Sequence, residues 1–145
     1  MDKKFPMFIS LTGRKVLVVG AGTIAARRIH VLNHFGAKVC VVAPHKRSTF
    51  EAAFFAREFQ ESDLDNVVLA VAATDDRMVN RQISSLCAAR GIPVSVADCA
   101  EESTFFFPAI CEGGGLIAGL VSDGRHHHAV SRMANRIRAL LEEKG

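Results

Sequence analysis

The 145 residues contain no tryptophan and no tyrosine, so the aromatic share of 7% rests on ten phenylalanines alone. The net charge is only +3. Together these leave no interleaving of aromatic and basic residues of the kind that stacks on bases and neutralises phosphates, and nucleic acid is not an expected partner. No apolar run approaches the roughly 20 residues that cross a bilayer. The opening MDKKFPMFIS is too short, and too interrupted by Pro6, to act as a secretion signal. Neither a membrane partner nor export is expected, and the expected location is the cytoplasm. Cys40, Cys87, Cys99 and Cys111 show no CxxC spacing, which argues against a paired metal or dithiol role and for reduced thiols. There are no internal repeats and no low-complexity linker.

What is present is a chain that is 49% apolar, enough for a core in one domain with a small appendage. Strand and helix patterns alternate. KVLVV, residues 15–19, carries four consecutive apolar residues, which suits a parallel strand covered on both faces. The helix after it carries Ile24, Val31, Leu32 and Phe35 as its expected apolar stripe and stops at Gly36. KVCVVAP gives a second strand that Pro44 ends, and FFAREF a short one with a polar interior, suited to an edge. NVVLAVAATDD gives a further buried strand running into a polar turn. Val79, Ile83, Leu86 and Cys87 mark a helix that Gly91 closes, and IPVSVAD is the last strand of the series.

Beyond residue 104 the alternation stops. FFFPAI and GLIAGLVS are expected as two strands joined through CEGGG, followed by a helix from about His127 to Glu143. Val130, Met133, Ile137 and Leu140 form its expected buried face. The expected architecture is α/β: a Rossmann-like parallel sheet over 1–104 and a strand-plus-helix extension over 105–145. The extension is too small to close a core alone, and exposed strand edges invite pairing, so a homodimer is expected.

GAGTIA places Gly20, Gly22 and Ala25 in a G-x-G-x-x-A pattern between a buried strand and a helix. The first glycine permits the tight turn, the second admits a pyrophosphate to the backbone, and the small third residue lets helix pack on strand. The helix start adds N–H groups and partial positive charge for an anion. An acidic residue about 20 positions on, to hold the ribose, is missing: the sequence there reads VCVVAPHKR. Either backbone groups and His45 hold the ribose, or Lys46 and Arg47 receive a 2′-phosphate. From these residues the choice between NAD and NADP stays open.

FPMFISLTGRKVLVVGAGTIAARR, AATDD, VSVAD and FFFPAI stand in the order and spacing of a known family. From about Phe5 to Ser122 the chain resembles precorrin-2 dehydrogenase, the N-terminal module of siroheme synthase. The resemblance implies NAD-dependent dehydrogenation of precorrin-2 to sirohydrochlorin, with iron insertion (ferrochelatase activity) as the second step of bifunctional members. The family's second strand also ends in AP without an acid, which favours NAD as cofactor. Carried over by position, Thr23 and Ile24 resemble its NAD contacts in the turn. Pro44 and His45 correspond to those after the second strand, and Ala73 and Thr74 to those after the fourth. Asp98 corresponds to the catalytic aspartate, and Ser122 to a serine beside the tetrapyrrole. The chain departs from the family at DCAEE after that aspartate and at VSDGRHHHAV, and the helical module that usually follows is not expected within these 145 residues.

The chemistry of these residues suits that reading. Asp98 ends a strand, where open α/β sheets place ligands, and dehydrogenation needs a base for the proton that leaves with the hydride. As a residue type, Asp serves turns and caps equally well. His128, Arg132 and Arg136 recur every four residues on the last helix, and with Arg125 they offer charge-assisted bonds to a polycarboxylate. His126, His127 and His128 are assigned to the same carboxylates. Consecutive helical positions fan out by about 100° and do not converge on one ion, so no metal site is expected there, nor at His30 and His34. The alternative function is a non-catalytic NAD-sensing or tetrapyrrole-carrying module.

Overall fold

The computed structural model describes residues 3–144. They fall into two compact units, one of Phe8–Phe105 and one built from both ends of the chain, Met1–Met7 with Phe106–Gly145.

The first unit is a five-stranded sheet, every pair parallel: β1 (Lys15–Val19), β2 (Lys38–Ala43), β3 (Ala53–Ala56), β4 (Leu69–Ala72) and β5 (Val94–Val96). The spatial order is β3-β2-β1-β4-β5. The chain starts in the middle, winds outward to β3, and returns across β1 to β4, so the direction of winding reverses between β1 and β4. This is the Rossmann-like sheet that the alternating pattern predicts. Past Lys15, which opens β1, the two strands at the reversal are apolar because neither face of them meets water. Val16, Val18, Ala70 and Ala72 are fully buried. β3 lies at the edge and leaves Phe55 47% exposed; it spans only AFFA, so Arg57 and Glu58, expected inside the strand, follow its end.

Helices α1 (Thr23–His34) and α2 (Arg77–Arg90) follow β1 and β4. The face of α1 turned to the core is Ala25, Ile29 and Leu32; of the expected stripe only Leu32 is fully inside, Val31 and Phe35 are half-buried and Ile24 lies outside. Ile24 is 47% exposed. The glycine turn brings the start of the helix close against the sheet, and only the small Ala25 fits there, which rotates the larger neighbour outward. In α2, Ile83 and Cys87 are buried, with Val79 and Leu86 packed beside them. Burial pushes the Cys87 thiol up to about 11, against the opposing influence of Arg90, and leaves it an unreactive core side chain. Asp76 caps α2 by accepting from the backbone N–H of Met78 (2.9 Å) and Val79 (3.4 Å). Gly91 ends it in the left-handed conformation at φ +69°.

In the second unit β6 (Ala109–Gly113) and β7 (Leu116–Leu120) form an antiparallel hairpin, with α3 (His127–Lys144) packed on β6. Two sequence expectations change here. Residues 105–108 are not strand; β6 begins after Pro108, which has no N–H to give a ladder, and runs on through Cys111 to Gly113. The join is therefore only Gly114–Gly115, both at positive φ (+57° and +78°), as a two-residue hairpin turn of the primed type requires. The buried face of α3 is also displaced. Ala134 and Leu141 are buried against Cys111, with Ile137 beside them, whereas Met133 and Leu140 are 45% and 59% exposed. Close approach is the reason. A Cβ on Gly113 would stand 2.8 Å from the Leu141 Cβ, so the helix seats over glycine and alanine, residues that a hydrophobic stripe ranks low. From the N-terminal segment of this unit, the Lys4 ammonium lies 4.6 Å over the Phe106 ring.

Gly20 joins the two halves of the sheet. It holds φ +117°, and a Cβ there would stand 2.1 Å from the Ala73 carbonyl oxygen. Gly20→Ala should cost about 2–4 kcal/mol from strain and overpacking together, read as a lowered midpoint in urea denaturation with the slope unchanged.

Candidate functional site

All five strands are parallel, so their C-terminal ends open on one edge, and the backbone ladder carries the loops onto that edge. Gly20 N–H donates to Val42 O (2.9 Å), Ala73 N–H to Val19 O (2.8 Å), and Ala97 N–H to Ala72 O (2.9 Å). The turn after β1 and the loops after β2, β4 and β5 thus share a rim. Gly20, Gly22, Thr23, Ile24, Pro44, His45, Ala73, Thr74 and Asp98 lie on these segments.

The turn fits a phosphate-bearing ligand. Gly22 precedes the first helical residue without a side-chain cap, and the first turn of α1 holds no acidic residue. A Cβ built on Gly22 meets nothing within 4 Å. The position is open, and the glycine leaves room for a ligand to approach the backbone rather than for a neighbouring residue. Ala25 is fully buried and packs helix on sheet. Thr23 and Ile24 are exposed beside the turn. The loop after β2 folds back over it: Arg47 N–H donates to Ala21 O (3.0 Å), and the Arg47 guanidinium pairs with Asp75 of the loop after β4 at 2.9 Å. Pro44 and His45 are exposed on that loop. Two open grooves also run beside α1, the first lined by Thr23, Arg27, His30 and Ser48 and the second by Asn33, His34 and Phe50. They border the turn only at Thr23, so the site rests on the rim itself.

Asn80 is a determinant that hydrophobic patterning passes over. It is the buried polar residue of this unit, fully enclosed, and its amide serves one partner. Asn80 Oδ1 accepts from Thr74 N–H (3.1 Å) and Thr74 Oγ1 (2.7 Å), while its Nδ2 donates to Thr74 O (3.1 Å). Thr74 Oγ1 in turn accepts from Asp76 N–H (3.2 Å). One turn of α2 therefore fixes the backbone just after β4. The signal available in sequence is an asparagine on the apolar face of the helix, four residues after its cap.

Asp98 stands beyond the end of β5, partly exposed, and accepts from Arg77 Nη1 at 2.6 Å. The other guanidinium nitrogen binds Glu102. Arg77, the first residue of α2, bridges two carboxylates, Asp98 just before a short turn and Glu102 at its end (Ala100–Glu102). The chain past that turn is sewn to the sheet by side chains. Ser103 Oγ accepts from Val96 N–H and Thr104 Oγ1 from Val94 N–H, both at 2.9 Å. These contacts satisfy the outer edge of β5 and hold the base of the Asp98 loop. The departure DCAEE thus supplies, in Glu102, the second anchor for Arg77.

In the other unit, Ser122 Oγ accepts from Gly124 N–H (2.9 Å) and Asp123 accepts from Arg125 N–H (2.9 Å). His126 Nδ1 lies 2.8 Å from Asp123 Oδ1. The Arg125 N–H bond and then His126 hold the Asp123 carboxyl below its ordinary range. His126 precedes α3, while His127 and His128 open it. All three imidazoles are exposed, as are Arg125, Arg132 and Arg136. Among the described residues no three His, Cys, Asp or Glu side chains cluster as metal ligands would. No described helix is long and apolar enough to cross a membrane.

Comparison with known proteins gives three kinds of match. A family model described as "Putative NAD(P)-binding" matches residues 7–109. A siroheme biosynthesis protein of Ruminiclostridium josui, described as multifunctional, is 41% identical over 145 residues, which is 94% of this chain and 28% of that protein. A siroheme synthase of Methylobacillus flagellatus is 37% identical over 143 residues, 94% of this chain and 31% of its own. The chain therefore spans less than a third of the length of these curated relatives. Among solved structures, "SirC, precorrin-2 dehydrogenase" superimposes with a TM-score of 0.74 at 28% identity, covering 97% of this chain and 72% of that one.

The Asn80 network sets the loop after β4, so its loss should be felt there first. Asn80→Ala removes three hydrogen bonds and should destabilise the unit by about 2–3 kcal/mol. Amide hydrogen exchange at Thr74 should accelerate by more than exchange in β1.

Proposed function

The chain belongs to the NAD(P)-binding family that its residues 7–109 match, and on that premise we propose that it binds NAD and dehydrogenates precorrin-2 to sirohydrochlorin. The observation that carries the reading is Asp98, a carboxylate held by Arg77 on the same sheet edge as an open glycine turn. The likeness to siroheme synthases and to a precorrin-2 dehydrogenase supports it.

Gly20, Gly22 and the start of α1 would hold the pyrophosphate. Thr23 and Ile24 flank it, and Pro44, His45, Ala73 and Thr74 line the rest of the dinucleotide's path. When bound, the nicotinamide supplies the hydride acceptor. Removing two hydrogens from precorrin-2 also releases a proton, and Asp98 is the base that takes it. Arg77 holds one carboxylate oxygen, which restricts rotation of the side chain and leaves the other oxygen to face substrate. The exposed Arg125, Arg132 and Arg136 of the second unit, together with the imidazoles of His126, His127 and His128 and the Ser122 hydroxyl, suit the carboxylates of the tetrapyrrole.

Self-association completes the proposal. Leu116, Ile117, Val121, Met133 and Leu140 are each about half exposed, at 58%, 51%, 47%, 45% and 59%, within a unit whose buried cluster is small. A second copy of the chain would cover them in a homodimer. Light scattering at micromolar concentration should give twice the 15.7 kDa chain mass, and a monomer mass would remove the dimer.

Purified protein mixed with precorrin-2 and NAD should develop the sirohydrochlorin spectrum. Asp98→Asn keeps the shape and removes the base, so turnover should fall by about 10²–10⁴-fold while NADH binding persists. Wild-type turnover in this variant would leave Asp98 a turn former, and no turnover by the wild type would favour a sensing or carrier module.

A further inference from the structure

We propose that Asp75 supplies, from the loop after β4, the carboxylate that the end of β2 lacks, and that it selects NAD over NADP by neutralising Arg47. The inference rests on the dinucleotide reading above and specifies its cofactor. In a sheet of this kind the residues after β2 meet the adenosine ribose. An acid there holds the 2′-hydroxyl, and an arginine there accepts a 2′-phosphate. This chain has Pro44, His45, Lys46 and Arg47 after β2, two cations and no acid, which read alone is an invitation to the phosphate.

The structure alters that reading at both cations. The Lys46 ammonium sits 4.4 Å over the Phe50 ring, directed along its own loop. The Arg47 guanidinium is paired with Asp75 at 2.9 Å. The loop that carries Arg47 is tied by its own N–H to Ala21 O (3.0 Å), so the pair spans the glycine turn from the β2 side to the β4 side. The two acids of AATDD have separate tasks. Asp76 is engaged at the start of α2 by the N–H groups of Met78 and Val79, whereas Asp75 is 89% exposed with its carboxylate on Arg47. A 2′-phosphate entering here would have to displace Asp75 from Arg47 and then lie beside the displaced carboxylate. The two ribose hydroxyls of NAD carry no such charge.

The test reads the ratio of the dissociation constants for NADPH and NADH by direct titration, without turnover. The wild type should favour NADH. Asp75→Asn frees Arg47 and removes the repulsion, and should lower the ratio about tenfold, the sum of two contributions of the size that exposed charge pairs give. Adding Arg47→Ala removes the attraction of the freed arginine but does not restore the lost carboxylate, and should return the ratio about half of the way on a logarithmic scale. The change should shrink at high salt, because the charges are exposed. Both side chains are on the surface, and circular dichroism confirms folding of each variant. A ratio in Asp75→Asn within about twofold of the wild type, or a wild type that already favours NADPH, overturns the proposal while leaving dinucleotide binding intact. A wild type that binds neither nucleotide overturns the cofactor reading itself.

Discussion

The contact between the Gly20 α-carbon and the Ala73 carbonyl is the constraint on which the functional edge depends. β1 and β4 are parallel neighbours, paired from Val16↔Leu69 to Val19↔Ala72, and the sheet changes its direction of winding between them. The chain must leave both strands at the same height without collision. It does so because Gly20 takes a positive φ and presents no side chain to a carbonyl that a Cβ would approach to 2.1 Å. With turn and loop this close, the segment after β2 can tie to Ala21 and still reach Asp75. A bulkier residue at position 20 would separate the loops that the site needs together.

The loops on this edge are held less by burial than by hydrogen bonds aimed at particular backbone groups. Asn80 secures Thr74, Ser103 and Thr104 secure the outer edge of β5, and Arg77 ties Asp98 to Glu102. Such bonds are geometrically selective, whereas apolar packing is not. The outcome is a rim whose core-facing half is apolar and close-packed and whose outer half is fixed by polar groups around an open turn. Three acids within this rim illustrate the division of labour. Asp76 ends a helix, Asp75 faces a cation across the turn, and Asp98 is held at the end of a strand.

The second unit solves a different problem with smaller residues. Gly113 and Ala134 let α3 approach β6 closely enough for Leu141 to seat, and Arg138 then donates to the Ile110 carbonyl from the same helix (2.9 and 3.2 Å). The larger apolar residues Met133 and Leu140 are left outward. A unit this small cannot enclose both faces of its helix, and the residues it leaves exposed are those a partner surface would use.

Local physics made much of this protein legible from its residues. Apolar runs marked the buried strands and glycines at helix ends marked the stops, because each signal acts within a few residues of its cause. The strand–glycine–helix junction likewise announced an anion-ready turn, and KVCVVAP showed the missing acid. Tertiary structure alone decided which face of α1 and α3 turns inward. There, close approach over Ala25, Ala134 and Gly113 outweighs side-chain hydrophobicity, and a stripe read from sequence slips to Ile24, Met133 and Leu140. It alone decided the pairings at the site as well. Arg47 and Asp75 are 28 residues apart, and Arg77 and Asp98 are 21. Nothing local to either partner encodes such a bond, because the parallel register of the sheet is what brings their loops to one edge.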